Sequence, residues 1–359
     1  MPPSSPERGR GTSPDLAARL RHDSACPPPA GRTAPPRNLP PSSPGAVLAG
    51  RRAILGGLAL AALAPACAAR AEPATPFAIE VPAGPLRPLG GLLLDPQVFA
   101  GGGLSGLHLD PDLRLTAISD RARWVTGRLV MEGDRPVGVA EIRTGALRDG
   151  AGTALPRGGH GGDSEAIARL PDGTWLVAFE RWHRIRAYRR LDGPGTFVEA
   201  PPGIDRAPQN GGLESLAVLA DGRWFAIAEE LAPEGTPELR MAWLGGPGRW
   251  QALRYRPAPG FVPTDAAPMP DGGALVLERR FSLFGGFAGR LVRIAPAALR
   301  AGVVVEGTEI LRLSSPLPTD NWEGVTVTRW QGRTLVALLS DDNQSPFQRS
   351  LLLLFEMRE

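Results

Sequence analysis

The chain has 359 residues, of which 42% are hydrophobic, so it can bury a sizeable core. Its 45 glycines and 39 prolines are close to double the usual share, which argues against a helical bundle and favours short strands joined by turns. The formal charge is +3 and the pI is about 9.4, and both come from arginine because the chain has no lysine. Such a balance first suggests an anionic partner such as nucleic acid.

The basic charge is confined to the start of the chain. Residues 1–71 contain 9 arginines and 3 acids, and residues 72–359 contain the other 31 arginines against 34 acids. The longer part is therefore mildly acidic, and it has no arginine-rich stripe. We expect no nucleic-acid partner.

Residues 1–71 have the composition of a targeting segment. Residues 1–50 are rich in proline and lack a periodic apolar pattern, which predicts a disordered extension. Arg51-Arg52 then precede an uncharged Gly/Ala/Leu run, and Ala69-Arg70-Ala71 resembles a cleavage site. Residues 51–71 are therefore predicted to be a twin-arginine signal peptide that directs the protein to the periplasm or outside the cell. An uncleaved N-terminal anchor is the alternative.

The same segment holds both cysteines, Cys26 and Cys67. The rest of the chain can therefore form neither a disulfide nor a thiolate zinc site. Cys67 loosely resembles a lipoprotein site, so lipidation is a minor alternative. The uncharged run is short and weakly apolar for a membrane span, and we expect none in the mature protein.

Residues 72–359 contain five similar segments. Each opens on a polar anchor residue, continues as a short apolar strand, turns at an Asp-Gly or related pair, and ends a second apolar strand at an acid or arginine. The spacings between successive anchors are 60, 49, 51 and 58 residues. The anchors are Ser105, Glu165, Glu214, Asp265 and Glu323. Further strand-like stretches bring each unit to four strands, which is the size of a β-propeller blade.

The predicted fold is an all-β propeller, with five blades favoured by the five motifs. A sixth, degenerate blade is possible within residues 89–99 or 290–313. We expect residues 350–356 to supply a third strand to the last blade and residues 77–81 to supply its outer strand, so that the two termini close the ring. A β-sandwich is the rival architecture, but it would not require the same polar anchor in every unit.

In a propeller the innermost strand of each blade lines the central channel, so the anchors should converge there. The acids Glu165, Glu214, Asp265 and Glu323 are predicted to hold a divalent cation, with Ca²⁺ or Mg²⁺ favoured by oxygen-only ligands. Arg121 and Arg181 could hold the anionic group of a substrate. Arg121, Arg181, Arg279 and Arg280 could also neutralise the ring, and the acids and arginines could instead form structural ion pairs. The ends of the second strands return to the same face and carry Asp120, Glu180, Glu229, Glu230, Glu278, Asp341 and Asp342.

His160 lies in the glycine-rich loop Gly158–Gly162, five residues before Glu165. A loop histidine beside the anchors is a candidate general acid or base, and an exposed loop residue is the alternative reading. The chain has no Gly-x-Ser-x-Gly motif, which leaves a serine-hydrolase triad weakly supported. Its glycine-rich runs precede strands rather than helices, which excludes dinucleotide and P-loop motifs.

Taken together, these motifs resemble the family named for the esterase-like activity of phytase. The resemblance covers roughly residues 86–358 and implies an exported bacterial β-propeller distantly similar to calcium-dependent propeller phytases. It implies hydrolysis of phosphoric or carboxylic esters. The chain departs from the family pattern at Asp265-Ala266, where Glu-Gly or Glu-Ser is typical. The matching segments are Gly102–Leu107 with Ile118–Arg121, Asp163–Ile167 with Phe179–Arg181, Gly212–Leu216 with Glu229, and Asn321–Val325 with Ser340–Asn343.

The sequence therefore predicts an exported propeller that hydrolyses a small anionic ester with the help of a bound cation. Two alternatives remain open. One is a non-catalytic propeller that binds a ligand or partner in the cell envelope, and the other is a lactonase-like hydrolase of sugar acids.

Overall fold

Five antiparallel sheets follow one another along the chain in the computed structural model, which describes residues 72–81 and 83–358. The predicted segments 1–50 and 51–71 lie outside the described residues. In chain order the strands are β1 (Ala74–Phe77), β2 (Leu86–Leu94), β3 (Leu104–Leu109), β4 (Arg114–Ser119), β5 (Arg123–Glu132), β6 (Arg135–Ala146), β7 (Ser164–Arg169), β8 (Trp175–Phe179), β9 (Arg184–Tyr188), β10 (Thr196–Val198), β11 (Leu213–Val218), β12 (Trp224–Ala228), β13 (Arg240–Gly245), β14 (Gln251–Tyr255), β15 (Val262–Pro268), β16 (Ala274–Ser282), β17 (Gly286–Ile294), β18 (Val304–Val305), β19 (Thr308–Leu313), β20 (Asn321–Trp330), β21 (Arg333–Asp341) and β22 (Leu351–Met357).

Each sheet is one blade of a five-bladed propeller, as the sequence predicted. Blade 1 is β3-β4-β5-β6 and blade 2 is β7-β8-β9-β10. Blade 3 is β11-β12-β13-β14 with β18 added in parallel, and blade 4 is β15-β16-β17-β19. Blade 5 is β20-β21-β22, completed by β2 and β1 from the other end of the chain. The innermost strands of neighbouring blades contact one another around the whole ring.

Five apolar clusters hold the ring together, and each lies between two neighbouring blades. Tyr188 of blade 2 packs against residues of blade 1, and Trp243 of blade 3 packs against blade 2. Trp322 and Phe355 of blade 5 pack against blade 4 and are fully buried. Since burying one such side chain stabilises the fold by about 1.5–3 kcal/mol, the blade interfaces are the main stabilising feature.

The two ends of the chain close the ring, and the predicted third strand of the last blade, residues 350–356, is present as β22, whereas the N-terminal strand lies elsewhere than predicted. The predicted outer strand 77–81 contains only one strand residue, Phe77 at the end of β1, and the strand that pairs with β22 is β2. Residues 89–99 and 290–313 contribute β2, β17, β18 and β19 to the five blades, so the possible sixth blade is wrong. Closure between the termini removes the exposed edge that an open last blade would leave.

Among the described residues, no helix has the length and apolar character needed to span a membrane. The described helices are single 3₁₀ turns, such as Gly159–Gly161 and Ile204–Arg206.

Candidate functional site

A β-bulge near the start of each innermost strand positions the predicted anchors. The pairing with the second strand skips Glu165 in blade 2, Glu214 in blade 3 and Glu323 in blade 5. The corresponding bulge in blade 1 contains Ser105. A bulged residue has no partner in the ladder and its side chain is redirected, so these residues occupy equivalent positions at the channel.

In blade 4 the bulge lies one residue earlier than the predicted anchor. Its bulged residue is Thr264, and Asp265 pairs with Leu277. Because a shift of one residue reverses the side of a strand, Asp265 is not equivalent to the three glutamates. Its side chain is 1% exposed, and its two oxygens accept hydrogen bonds from the backbone N–H groups of Ala266 and Val325, both at 2.8 Å. Asp265 thus joins blade 4 to blade 5, and its assignment as a metal ligand stays a prediction.

The same shift changes which residue of the second strand lies opposite the bulge in blade 4. In each blade the position just before the bulge pairs with a residue of the second strand, and the next residue is Asp120, Glu180, Glu229, Arg279 and Asp341 in blades 1 to 5. Blade 4 therefore places an arginine where every other blade has an acid. Glu278 itself is fully buried between strands, where it accepts a hydrogen bond from the Tyr255 hydroxyl and lies 3.0 Å from Nε of Arg290.

Three carboxylates of blade 2 form a close cluster beside the channel. Asp163, Glu165 and Glu180 each place an oxygen within 4.8 Å of the others. Asp163 and Glu180 are 7% and 4% exposed. The backbone N–H of Gly212 donates to Glu180, and Nε of Arg181 donates to Asp163. The cluster therefore brings the predicted anchor Glu165 together with two acids from the loops and strand end beside it.

Burial and the charges of neighbouring acids raise the pKa values of Glu165, Glu180 and Asp120. Burial raises the pKa of Glu180 to about 8, and nearby Glu229 and Asp163 add to the shift. Glu165 has its pKa raised well above the usual range by burial and by the charges of Glu180 and Asp163. Burial also raises the pKa of Asp120 to about 6. Without a counter-ion, these groups hold protons at a pH where a solvated carboxyl would be ionised.

The opposite side of the channel has a counter-ion of its own. Nη2 of Arg279 lies 2.9 Å from Oε1 of Glu229, and Nη1 donates to Glu323 and to Oδ1 of Asn321 at 2.5 Å. Burial alone would lower the pKa of Arg279, but the charges of Glu323, Glu214 and Glu229 outweigh it and raise that pKa further. Glu214 and Glu323, which were predicted to bind metal, thus lie on the side that already contains a fixed cation.

The predicted substrate-binding arginines lie at the channel mouth, next to the acids. Arg121 is 4.0 Å from Asp120, and Arg181 pairs with Asp163; both side chains are 37% exposed. His160 is exposed in the 3₁₀ turn Gly159–Gly161, and Arg184 donates a 2.6 Å hydrogen bond to the backbone oxygen of Gly161. The loop that carries His160 is therefore tied to blade 2.

Two glycines allow the backbone to approach the acids closely. A Cβ atom at Gly103 would lie 2.1 Å from Oδ1 of Asp120, and one at Gly102 would lie 2.7 Å from Oδ1 of Asp342. Oδ1 of Asp120 is buried and has no hydrogen-bond partner within the described part of the chain. Asp342 instead accepts hydrogen bonds from Gly103, Gln344 and Ser350 at 2.9–3.1 Å.

One member of the site, Asp163, was missed from the sequence. It lies in the Asp163–Ile167 motif and completes the cluster with Glu165 and Glu180. For Arg279 the sequence predicted a neutralising role but not that this residue takes the place of an acid. The available signal was its position directly after a residue whose counterparts in the other blades, such as Phe179 and Ala228, end the second strand.

Comparison with known proteins gives the family. Residues 100–344 match the phytase-like family described as esterase-like activity of phytase. The chain belongs to this family. No curated protein matches the sequence. The phytase-like match begins just before β3 and ends after β21. It therefore includes all five bulged strands and the acids that these strands and their neighbours place at the channel.

Several solved structures share the phytase-like propeller's fold at low identity. The PQQ-bound aldose sugar dehydrogenase of Streptomyces coelicolor is 13% identical, covering 77% of this chain and 99% of its own, with a TM-score of 0.43. A gluconolactonase of Xanthomonas campestris is 13% identical over 80% of this chain and 99% of its own, with a TM-score of 0.41. Virginiamycin B lyase of Staphylococcus aureus is 10% identical over 79% and 94%, with a TM-score of 0.37. These likenesses concern the fold alone.

Proposed function

We propose that this phytase-like propeller is a metal-assisted hydrolase of phosphoric or carboxylic esters. The observation that carries the proposal is the cluster of Asp163, Glu165 and Glu180, whose oxygens lie within 4.8 Å of one another at the channel mouth. Desolvated carboxylates this close together repel one another, and a hard divalent cation relieves that repulsion. Ca²⁺ is the favoured ion because the donors are all oxygens and because Ca²⁺ accepts irregular geometry.

The residues present fit such an ion. Glu165 and Glu180 are carboxyls whose pKa values are raised by burial and by each other, which is the state that a bound cation reverses. Oδ1 of Asp120 adds a buried oxygen with no hydrogen-bond partner among the described residues. One oxygen of Asp163 accepts a hydrogen bond from Nε of Arg181, and its second oxygen is left for a cation.

The neighbouring side chains suit an anionic substrate. A bound cation would supply Lewis acidity toward the ester and lower the pKa of a bound water. Arg121 and Arg181 are partly exposed beside the cluster. Their guanidinium groups can therefore form bidentate hydrogen bonds to a phosphate or carboxylate. His160 is exposed on the adjoining loop, where it can exchange a proton with a leaving group.

The test measures cation binding and turnover together. Calcium should raise the melting temperature of the full chain, and a chelator should abolish hydrolysis of chromogenic phosphate and carboxylate esters. Glu165→Gln should lose both effects, while the exposed control Glu132→Gln should keep both. Absence of a calcium-dependent shift together with chelator-insensitive or absent turnover would sink the proposal.

A non-catalytic binding propeller is the second candidate, and the pairing of Arg279 with Glu229 and Glu323 favours it. That pairing shows that some acids of the channel are neutralised within the protein. Under this reading Glu165→Gln leaves stability and partner binding nearly intact in calcium. A lactonase-like activity on sugar acids uses the same cluster, so sugar lactones belong in the substrate panel.

We also propose that the protein works in the periplasm or outside the cell. The support is the Arg51-Arg52 pair, the short uncharged run and the small residues at Ala69–Ala71. Mass spectrometry of the protein purified from its host should find a mature chain that begins near residue 72. A product that begins before Arg51 would contradict export by this signal, and a lipid adduct would indicate lipidation at Cys67.

A further inference from the structure

The connections between second and third strands all lie on one face of the propeller, which we call the mouth face (residues 120–122, 180–183, 229–239, 283–285 and 342–350). Hydrogen bonds tie these connections to the starts of innermost strands, as between Asp342 and Gly103 and between Glu180 and Gly212. Whatever projects from these connections therefore surrounds the channel mouth.

A two-stranded hairpin of blade 4 carries highly exposed apolar side chains on this face. β16 and β17 pair as far as Ser282 and Gly286, beyond the residues that pack in the core. At its tip Leu283 is 82% exposed and Phe284 is 101% exposed. Behind the tip the rings of Phe281 and Phe287 pack at a tilt with centroids 4.8 Å apart, which stiffens the hairpin. The tip is therefore a preformed apolar knob.

The neighbouring blade 5 presents a second apolar knob on the same face. Phe347 is 93% exposed at the tip of residues 343–349. The amide of Asn343 donates to Gln348, and Nη2 of Arg349 lies 2.7 Å from Asp320, so the loop is held in shape by its own contacts. The mouth face thus carries two separate apolar tips, on adjacent blades.

Both tips differ in charge from the rest of the protein. Residues 279–290 and 343–349 contain no acid, although residues 72–359 have more acids than arginines. Arg280 at the base of the hairpin is exposed, packs over Phe261 at 5.0 Å and has no ion-pair partner among the described residues. Apolar tips with a free arginine at their base are the arrangement that anionic phospholipid surfaces attract.

We propose that the mouth face docks on an anionic phospholipid surface, with Leu283, Phe284 and Phe347 inserted among the acyl chains and Arg280 at the level of the headgroups. A stable contact between two rigid proteins needs a broad complementary patch of about 800 Å² on each partner. Two separate convex knobs do not provide one, whereas a fluid bilayer adapts to them. The proposal is independent of the chemistry proposed for the channel.

The test places a fluorophore beside the blade 4 tip. Residues 51–70 could bind vesicles by themselves, so vesicle binding by the whole chain would not identify the contact surface. In the full chain with Cys26→Ser and Cys67→Ser, Ser282→Cys carries an environment-sensitive fluorophore. Glu132→Cys carries the same label as a control in an exposed position at the β5–β6 turn, on the opposite face. Vesicles of equal parts phosphatidylglycerol and phosphatidylcholine should shift emission to the blue at position 282 and not at position 132.

A second set of variants connects the shift to the apolar tips. Leu283→Ser with Phe284→Ser should weaken the vesicle-induced shift by about tenfold or more in apparent affinity. The matched control, Leu93→Ser with Val130→Ser, removes two exposed apolar side chains elsewhere and should change it little. An equal shift in pure phosphatidylcholine overturns the anionic preference. No shift at position 282, or emission already blue without vesicles because another protein segment or copy covers the tip, overturns the proposal.

Discussion

Nη2 of Arg279 lies 2.9 Å from Oε1 of Glu229, across the boundary between blades 3 and 4. The same guanidinium reaches Glu323 of blade 5. Blade 4 thereby supplies a fixed positive charge at the position where the other blades supply an acid. The ring of acids is divided into one side neutralised by Arg279 and one side, around Glu165 and Glu180, that is available to an external cation.

Removal of Arg279 should destabilise the propeller strongly. Arg279→Met leaves Glu229 and Glu323 buried without their counter-ion, and breaking a buried ion pair in this way costs about 3–5 kcal/mol. The measurement is the free energy of unfolding in urea at neutral pH with a chelator present. Arg280→Met is the matched control, since Arg280 is adjacent but exposed and should change stability by about 0.5 kcal/mol or less. Equal values for the two variants would contradict the division of the ring.

Much of the fold could be predicted from the sequence, whereas the site could be predicted only in part. The spacing of the anchors indicates five blades because each blade repeats one apolar, turn, apolar pattern. The N-terminal closing strand was misassigned because Leu86–Leu94 contains Pro88 and Gly90-Gly91, residues that are unfavourable within a strand. Asp265 was misaligned because a bulge shifts register by one residue, and the residues Thr264 and Asp265 are both polar. Asp163 lies close to Glu180 because of the conformation of the loop before β7, which the periodicity of apolar residues in the sequence does not indicate.

Asp265 and Glu165 should respond in opposite ways to removal of their charge. Asp265→Asn places an amide NH₂ against the backbone N–H of Val325 or Ala266, which should cost about 1–3 kcal/mol of stability. It should leave the calcium-induced rise in melting temperature in place. Glu165→Gln mimics the protonated carboxyl that burial favours, so it should change the stability of the cation-free protein by about 1 kcal/mol or less and abolish the calcium effect. Thermal unfolding with and without calcium compares the two, and loss of the calcium effect in Asp265→Asn would instead support a ligand role for that residue.

Gly103 should be intolerant of a side chain for a reason beyond its backbone angle. Gly101 and Gly103 have φ values of 90° and 69°, so alanine strains both, at a cost of about 1 kcal/mol. A Cβ atom at Gly101 meets nothing within 4 Å, but one at Gly103 lies 2.1 Å from Oδ1 of Asp120. We expect Gly103→Ala to be clearly less stable than Gly101→Ala in urea unfolding and to weaken calcium binding. If the two variants unfold at the same urea concentration, the close approach of Gly103 to Asp120 does not contribute to stability.

The stability of the cation-free protein should fall as pH rises through neutrality. Burial raises the pKa of Glu180 to about 8 and of Asp120 to about 6. Between the ordinary carboxyl pKa and these values the folded state binds more protons than the unfolded state, so the free energy of unfolding decreases with pH from about pH 5 to about pH 8. The stabilisation that these groups provide is complete below the pKa of the unfolded chain and is lost as pH passes the folded values.

Calcium should act in the opposite direction, because it binds the deprotonated carboxylates and competes with protons. The rise in melting temperature that calcium produces should therefore grow over the same pH range, while Glu180→Gln should flatten the pH dependence measured in chelator. Urea unfolding at a series of pH values, with calcium and with chelator, gives both curves. A cation-free stability that stays level or increases between about pH 5 and about pH 8 would show that these carboxyls are ionised and paired within the folded protein.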